Sequence, residues 1–542
     1  MKRSKKKENC QHCTSRRQFL AHLGVAGAYL GTLDPVRVLY QSLVDGLISK
    51  AQAAEGLTTP RNYVGIFFPG GPTRWIWDGF LTPNGNDAFM RNRSVNNRLT
   101  VNSYSGDNSA AEHVSEAVNL PSGKVIHLPP LWNRDIPTVG GGWVAMNSLL
   151  SNALIMRGVH MQVDIGHLEG PARVPRPSVA GPSLSGLVAD ASTAPIPAIG
   201  LAPHDYSKNL SEPKLGGFKS ERGTGVTLVT GLGRDALSKI LDPFRNTDTN
   251  VQANATKLKQ MQQSAIRAAM TELGSYAKSA KPGADSLYRS HDRALQLFER
   301  SFGDLQAQMT ALTAKYTDLE RRCAAAIPNI IPATGTGAYN IALVPNTIGL
   351  ASQFAVAEFL LKNGLSSSIV MTGPGSVSFA GLQNFNDEHD APDRQASLIC
   401  HSYQFRVLAA LIHELRNALG PSLWTETVVH VSAEYDRSPR DDMGGSDHAP
   451  ESNSMSLFSG AIKEPLFIGN IKVDGRPGGT YKGTWGAAAP VLTDAGTRTI
   501  TNEAAAASIA SLLRVKPPVR SDSVISISDS GVHSLAEKPK NV

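Results

Sequence analysis

The sequence predicts an α/β protein whose mostly parallel sheet is covered on both faces, and three observations carry that expectation. Short, largely apolar runs such as Tyr63–Phe68 and Leu154–Val159 read as strands buried on two sides. Helix-length segments alternate with such runs in the order of a βαβ chain. The 542-residue chain is also long enough for one large α/β domain or two smaller ones, either with a full core.

The N-terminal segment reads as an address rather than a structural element. Ser15-Arg16-Arg17-Gln18-Phe19-Leu20 follows a basic stretch and precedes the mildly apolar Ala21–Leu33, the pattern of a twin-arginine export signal. The apolar run is too short to span a bilayer, and Ala51-Gln52-Ala53 supplies a small-residue cleavage site. Residues 1–53 are therefore expected to be a signal handed to the twin-arginine translocase, leaving 54–542 as a periplasmic or secreted domain. An ordinary basic amphipathic helix is the alternative.

Charge and cysteine content narrow the remaining classes. The net charge is +7, but residues 1–53 hold nine Lys or Arg against three acids, so the exported part is close to neutral. Nucleic-acid binding needs basic side chains concentrated on the folded domain, and none is predicted. Cys10 and Cys13 fall in the signal. Cys323 and Cys400 remain, as two buried thiols or one disulfide.

Along the domain, Tyr63–Phe68 ends in Pro69-Gly70-Gly71-Pro72, a strand leaving into a loop. Residues 83–142 are rich in Asn, Gly and Ser and read as long loops. After the strand Leu154–Val159 comes a segment with His160 and His167, a proline-initiated helix at Pro182-Ser183-Leu184, and a strand at Ile196–Leu201. Over 251–326, Ile266, Met270, Leu273 and Ala277, then Leu295 through Cys323, recur at spacings of three and four. Lys281-Pro282-Gly283 separates the two stretches, so an inserted helical hairpin is predicted. A helix over Ala351–Asn363, a strand over Ser367–Met371, a helix over Tyr403–Leu419 and a strand over Thr427–Ser432 follow. The tail 515–542 reads as loosely packed.

Two loops gather the chemistry. One holds Asp387, His389 and Asp390; the other holds Glu434, Arg437, Arg440, Asp441, Asp442, Asp447 and His448. Loops at the carboxyl ends of parallel strands converge on one edge. Carboxylates and imidazoles meeting there can ligate a divalent cation, and arginines can hold an anionic ester. Surface acids and histidines that are merely solvated, or that cap helices, are the competing reading.

The run Ser432-Ala433-Glu434-Tyr435-Asp436-Arg437-Ser438-Pro439, then Gly444-Gly445-Ser446-Asp447-His448, then Ser459-Gly460-Ala461-Ile462-Lys463, resembles the S-E-F-G-R-T-P, G-x-D-H and G-G-x-I-K series of an uncharacterised exported bacterial family. That family is related to the alkaline phosphatase and sulfatase superfamily. Phe68-Pro69-Gly70-Gly71-Pro72 and Pro182-Ser183-Leu184-Ser185-Gly186 carry the same resemblance. It implies an alkaline-phosphatase-like three-layer sandwich and a metal-dependent hydrolase of small phosphate, sulfate or related esters.

On that resemblance Asp387, His389 and His448 would hold one divalent cation (zinc, manganese or calcium), with Asp447 joining them or orienting His448. Glu434 and Arg437 would act as support and anion contact, and His167 as a ligand or acid-base group. The chain departs from the superfamily pattern in three places. Pro69-Gly70-Gly71 stands where a metal-binding Asp would follow the first strand, and Tyr435 stands where a His is usual. Around His167 there is no evident nucleophile. A non-catalytic exported protein that binds or assembles with a secreted partner on a degenerate phosphatase-like fold is the alternative function.

Overall fold

The computed structural model describes residues 59–78, 116–161, 178–201, 218–229, 302–325, 349–373, 394–439, 446–449, 453–469, 471–473, 485–488, 491–493, 496–498 and 500–535, apart from residues 73, 75, 76, 121, 122, 124, 179, 180 and 225. All of them belong to one unit of the chain, Leu57–Asn246 with Arg293–Val542.

Among the described residues nine strands form the central sheet: β1 (Asn62–Phe68), β2 (Ala153–His160), β3 (Ala198–Leu201), β4 (Thr227–Val229), β5 (Ser368–Thr372), β6 (Thr427–Ala433), β7 (Asn453–Phe458), β8 (Leu466–Gly469) and β9 (Ile500–Thr501). Their order is β8-β2-β7-β6-β1-β5-β3-β4, with β9 paired to the last residues of β2. Strand β1 runs parallel to both β6 and β5, and β3 runs parallel to β5 and β4. Of these strands only β7 opposes its neighbours, lying antiparallel between β6 and β2.

The protein is therefore mixed α/β with a largely parallel central sheet. The apolar runs that predicted β1, β2, β5 and β6 are buried on both sides because helices cover both faces. Alternate residues divide between two cores. Val64, Ile66, Phe68, Val429 and Val431 pack with helices α2 (Phe302–Ala325), α3 (Leu350–Lys362) and α4 (Arg394–Thr425). Tyr63, Phe67 and Val428 pack with α1 (Leu184–Ala191) and α5 (Asn502–Leu513). Each fully buried large apolar side chain contributes about 1.5–3 kcal/mol, so these two cores hold the sheet in place.

Local signals explain the helix ends. Ser183 caps α1, its Oγ accepting from the backbone N–H of Gly186 at 3.0 Å, as the Pro-Ser-Leu start predicts. Helix α4 extends past the expected Leu419, but it breaks at Gly420 (φ 67°, ψ 170°) before Pro421. The predicted stripe on α2 is real: Leu305, Met309, Tyr316, Leu319 and Cys323 are buried and belong to the core shared with α3 and α4. Residues 251–301, which would complete the hairpin, lie outside the described residues.

One expectation changes, one is refined and one open choice is settled. The described part of 83–142 is not loop: Glu116–Asn119 pairs with Val125–Leu128, and Asp135–Pro137 pairs with Trp143–Ala145. These short hairpins enclose the fully buried Trp132, which anchors a segment whose polar composition hides its structure. The tail carries a local hairpin with a few buried side chains, while Ser526–Ser530 are exposed. Ile525–Ser528 and Gly531–Ser534 form a hairpin whose Val524, Ile525 and Val532 are buried in the α5 core. Cys323 is a free, buried thiol, so it forms no disulfide with Cys400, and burial pushes its pKa up to about 12. Among the described residues no helix is long and apolar enough to cross a membrane.

Candidate functional site

Strands β1 and β6 lie side by side and end together, Phe68 opposite Ala433, so the loops that follow them leave the same edge. From β1 comes Pro69-Gly70-Gly71, with Gly70 at φ 85° and Gly71 at φ 66°. From β6 comes Glu434–Arg437, which continues into a hairpin of Asp436–Pro439 against Ser446–Ala449. In that hairpin Arg437 is paired with His448, which returns His448 to the strand ends.

The two loops are locked by Arg437. Its Nε donates to the carbonyl of Gly71 at 2.7 Å and its Nη2 to the carbonyl of Gly70, while its Cζ lies 5.4 Å from the centre of the Tyr435 ring. A guanidinium suits this task because its fixed fork reaches two carbonyls at once. The side chain is 1% exposed, so the group expected to contact an anionic ester is directed into the backbone of the first loop.

Tyr435 completes the lock. Its ring lies where a Cβ on Gly71 would sit, and its hydroxyl is 2.9 Å from Nε2 of His448. The two rings stack with centroids 4.0 Å apart. One of the two His448 ring nitrogens, Nε2, is thus engaged by a phenol. Glu434, 3% exposed, stays at the edge with its backbone N–H 3.4 Å from the Phe68 carbonyl.

A buried polar cluster lies beneath these loops. Arg74 donates from Nε to Oδ1 of Asp78 at 2.7 Å and from Nη2 to Oδ2, a two-point grip between fully buried groups. Ser456 Oγ also donates to Asp78, and Trp77 Nε1 donates to Ser456 at 3.1 Å. Asp436 Oδ1 accepts from the backbone N–H groups of Arg74 and Arg437, at 3.3 and 2.7 Å. Burial nevertheless raises the pKa of Asp436 to about 8, outweighing those hydrogen bonds and the Arg74 charge.

On the other sheet face, Tyr63 Oη lies 2.9 Å from Nδ1 of His430, whose pKa burial lowers to about 3, with the Arg74 charge adding to the shift.

Of the residues predicted to carry chemistry, the structure brings Glu434, Arg437 and His448 to one edge. Asp447 shares the strand of His448, opposite Ser438 in the hairpin register. Asp387, His389 and His167 lie outside the described residues. Among the described residues no three His, Cys, Asp or Glu side chains are gathered as a metal would need. Asp78, the nearest acid after β1, has its carboxylate engaged by Arg74 and Ser456. Trp77 is a core residue, stacked on Phe405 at 5.3 Å.

Sequence reasoning missed Arg74, Asp436 and Arg157 as buried charged groups. For Arg157 the signal was present, a lone charge inside the apolar run Leu154–Val159. No protein-family model matches the chain, and no curated protein matches it either.

Proposed function

We propose that this chain is an exported protein that keeps an alkaline-phosphatase-like α/β scaffold and uses it for binding or assembly rather than ester hydrolysis. One observation carries the reading. At the strand ends, where the superfamily resemblance would put metal ligands, Arg437 grips the carbonyls of Gly70 and Gly71, and Tyr435 holds His448. Those groups serve the loops' own geometry. The largely parallel sheet with one opposed strand and helices on both faces supports the scaffold assignment, and the ordered motif series supports it from the sequence side. The twin-arginine signal supports a periplasmic or secreted location.

The second reading is a one-cation hydrolase of phosphate, sulfate or related esters. It is favoured by His448 being half-buried at the same edge as Glu434. There Asp387, His389 and His448 would hold zinc, manganese or calcium, and the cation would polarise the ester oxygen and activate water. His448 would enter that set through Nε2 only by releasing Tyr435.

Metal analysis of the purified protein, with p-nitrophenyl phosphate and p-nitrophenyl sulfate as probes, separates the two readings. Binding or assembly predicts no turnover, and no gain of cation affinity when Tyr435→Phe releases His448. Turnover together with a stoichiometric cation, both lost in His448→Ala, would overturn it.

A further inference from the structure

We propose a second site on this molecule: a small oxyanion, such as inorganic phosphate, sulfate or a carboxylate, held in the interior by Arg157. The inference stands whether the neighbouring edge binds a partner or turns over an ester.

Arg157 lies near the carboxyl end of β2, at a fault in the sheet. Met156 pairs with Met455 and Val159 with Asn453, so β2 spends one residue more than β7 across this step. Gly158, at φ 65°, takes up the extra residue in a left-handed conformation. Bulges of this kind re-aim a side chain, and here the residue beside the bulge is a fully buried arginine. Ser454 stands across the bulge on β7, also fully buried.

The donors are unclaimed. Among the described residues, neither Nε, Nη1 nor Nη2 of Arg157 has a hydrogen-bond partner, and neither does Oγ of Ser454. The acid whose charge Arg157 feels is Asp78, but Asp78 is already gripped by Arg74 and Ser456. The Phe467 ring, 5.6 Å from Cζ, covers one face of the guanidinium and leaves its donor edges in plane.

Burial pushes the Arg157 pKa down to about 9, which still leaves it cationic at neutral pH. A buried cation without a hydrogen-bonded counter-charge is strongly disfavoured, and a neutral water does not balance it. The planar edge of a guanidinium matches two oxygens of an oxyanion, and the Ser454 hydroxyl, across the bulge on the neighbouring strand, is available as a third donor. Donors in surplus, a net positive charge and full enclosure together specify the ligand class.

Enclosure implies slow exchange, so the anion should accompany the protein through purification. The full chain is dialysed into chloride, denatured, and the released anions are measured by ion chromatography. Thermal unfolding is followed in parallel with increasing phosphate, sulfate or acetate against sodium chloride of equal ionic strength.

The expected result is about one equivalent of a single oxyanion released, and a saturable rise in Tm with that anion alone. Arg157→Met should abolish both, and Ser454→Ala should weaken the apparent affinity roughly fivefold or more. The three anions distinguish phosphate, sulfate and carboxylate sources. No released oxyanion, together with Tm values that follow ionic strength alone, would overturn the proposal. So would an unchanged oxyanion response in either Arg157→Met or Ser454→Ala; if Arg157→Met does not fold, the wild-type release and Ser454→Ala decide.

Discussion

Substituting Gly71 by Ala tests the lock at the strand ends most directly. Gly71 sits at φ 66°, where an L-residue costs about 1–2 kcal/mol. Its new Cβ would lie 2.5 and 2.7 Å from two carbons of the Tyr435 ring and 3.1 Å from the Tyr435 carbonyl. Distances of 2.5–2.7 Å require something to move. Tyr435 is fully buried, bonded to His448 at 2.9 Å and covered by Arg437, so its ring has no open direction. Overpacking of this kind adds roughly 1–3 kcal/mol, for a total loss of about 2–5 kcal/mol. Gly123→Ala is the matched control: φ is 78° and a Cβ would meet nothing within 4 Å, so only the backbone cost of about 1–2 kcal/mol applies. Urea unfolding of both variants, followed by tryptophan fluorescence, gives the difference. If Gly71→Ala is no more destabilised than Gly123→Ala to within about 0.5 kcal/mol, Tyr435 is not a rigid wall against Gly71.

Three further outcomes are expected. Arg437→Lys keeps the charge but cannot bridge two carbonyls, and should lower unfolding stability by about 1.5–3 kcal/mol in urea. Tyr63→Phe leaves the buried His430 Nδ1 without its hydroxyl and should cost about 1–3 kcal/mol by the same measurement. Asp436→Asn should change the pH dependence of stability. The unfolded carboxyl loses its proton near its ordinary value of 3.8, whereas the folded one keeps it to about 8. Between those values the folded state holds the extra proton, so rising pH erodes wild-type stability by up to about 1.4 kcal/mol per unit. The stability of Asp436→Asn minus that of wild type should therefore climb from about pH 4 to pH 8 and level off above. A flat difference across that range would remove the buried-acid assignment; His430, present in both proteins, cancels.

The parts of the fold legible in the sequence were those in which one physical signal dominated. Strands β1, β5 and β6 and helix α3 are almost wholly buried, and burial writes itself as apolar composition. Strand β7 was missed because its helix-side positions are Ser454 and Ser456, which serve the Arg157 and Asp78 region instead of the apolar core. The alternation Ser454-Met455-Ser456-Leu457 is present but short, and with polar serines on a buried face the strand lacks the continuous apolar run that marks β1, β5 and β6. The hairpins of 116–145 and the tail hairpin at 525–534 were hidden for a related reason: each buries only a few side chains and reads as polar loop.

At the site, Glu434 and Arg437 follow β6 directly and His448 is returned to them by the antiparallel hairpin Asp436–Pro439 with Ser446–Ala449, a pairing that no sequence pattern marked. What each residue does there depends on partners distant in sequence, the carbonyls of Gly70 and Gly71 above all, and no local pattern encodes them.

The strand ends and the interior of β2 handle buried charge differently. Arg74 is matched by Asp78, Arg437 is turned onto backbone carbonyls, and Asp436 is held protonated at neutral pH by its burial. The edge of β1 and β6 is thus stiffly held, with two successive glycines kept in left-handed conformations by groups from the neighbouring strand. The contrast is Arg157, on a strand running parallel to β1 and β6, where the same residue type is buried with its donors unspent. If stiffness at one place and unspent charge at the other are separate features, Arg437→Lys should loosen the edge without altering the oxyanion response. Arg157→Met should remove that response while Tyr435 and His448 remain paired.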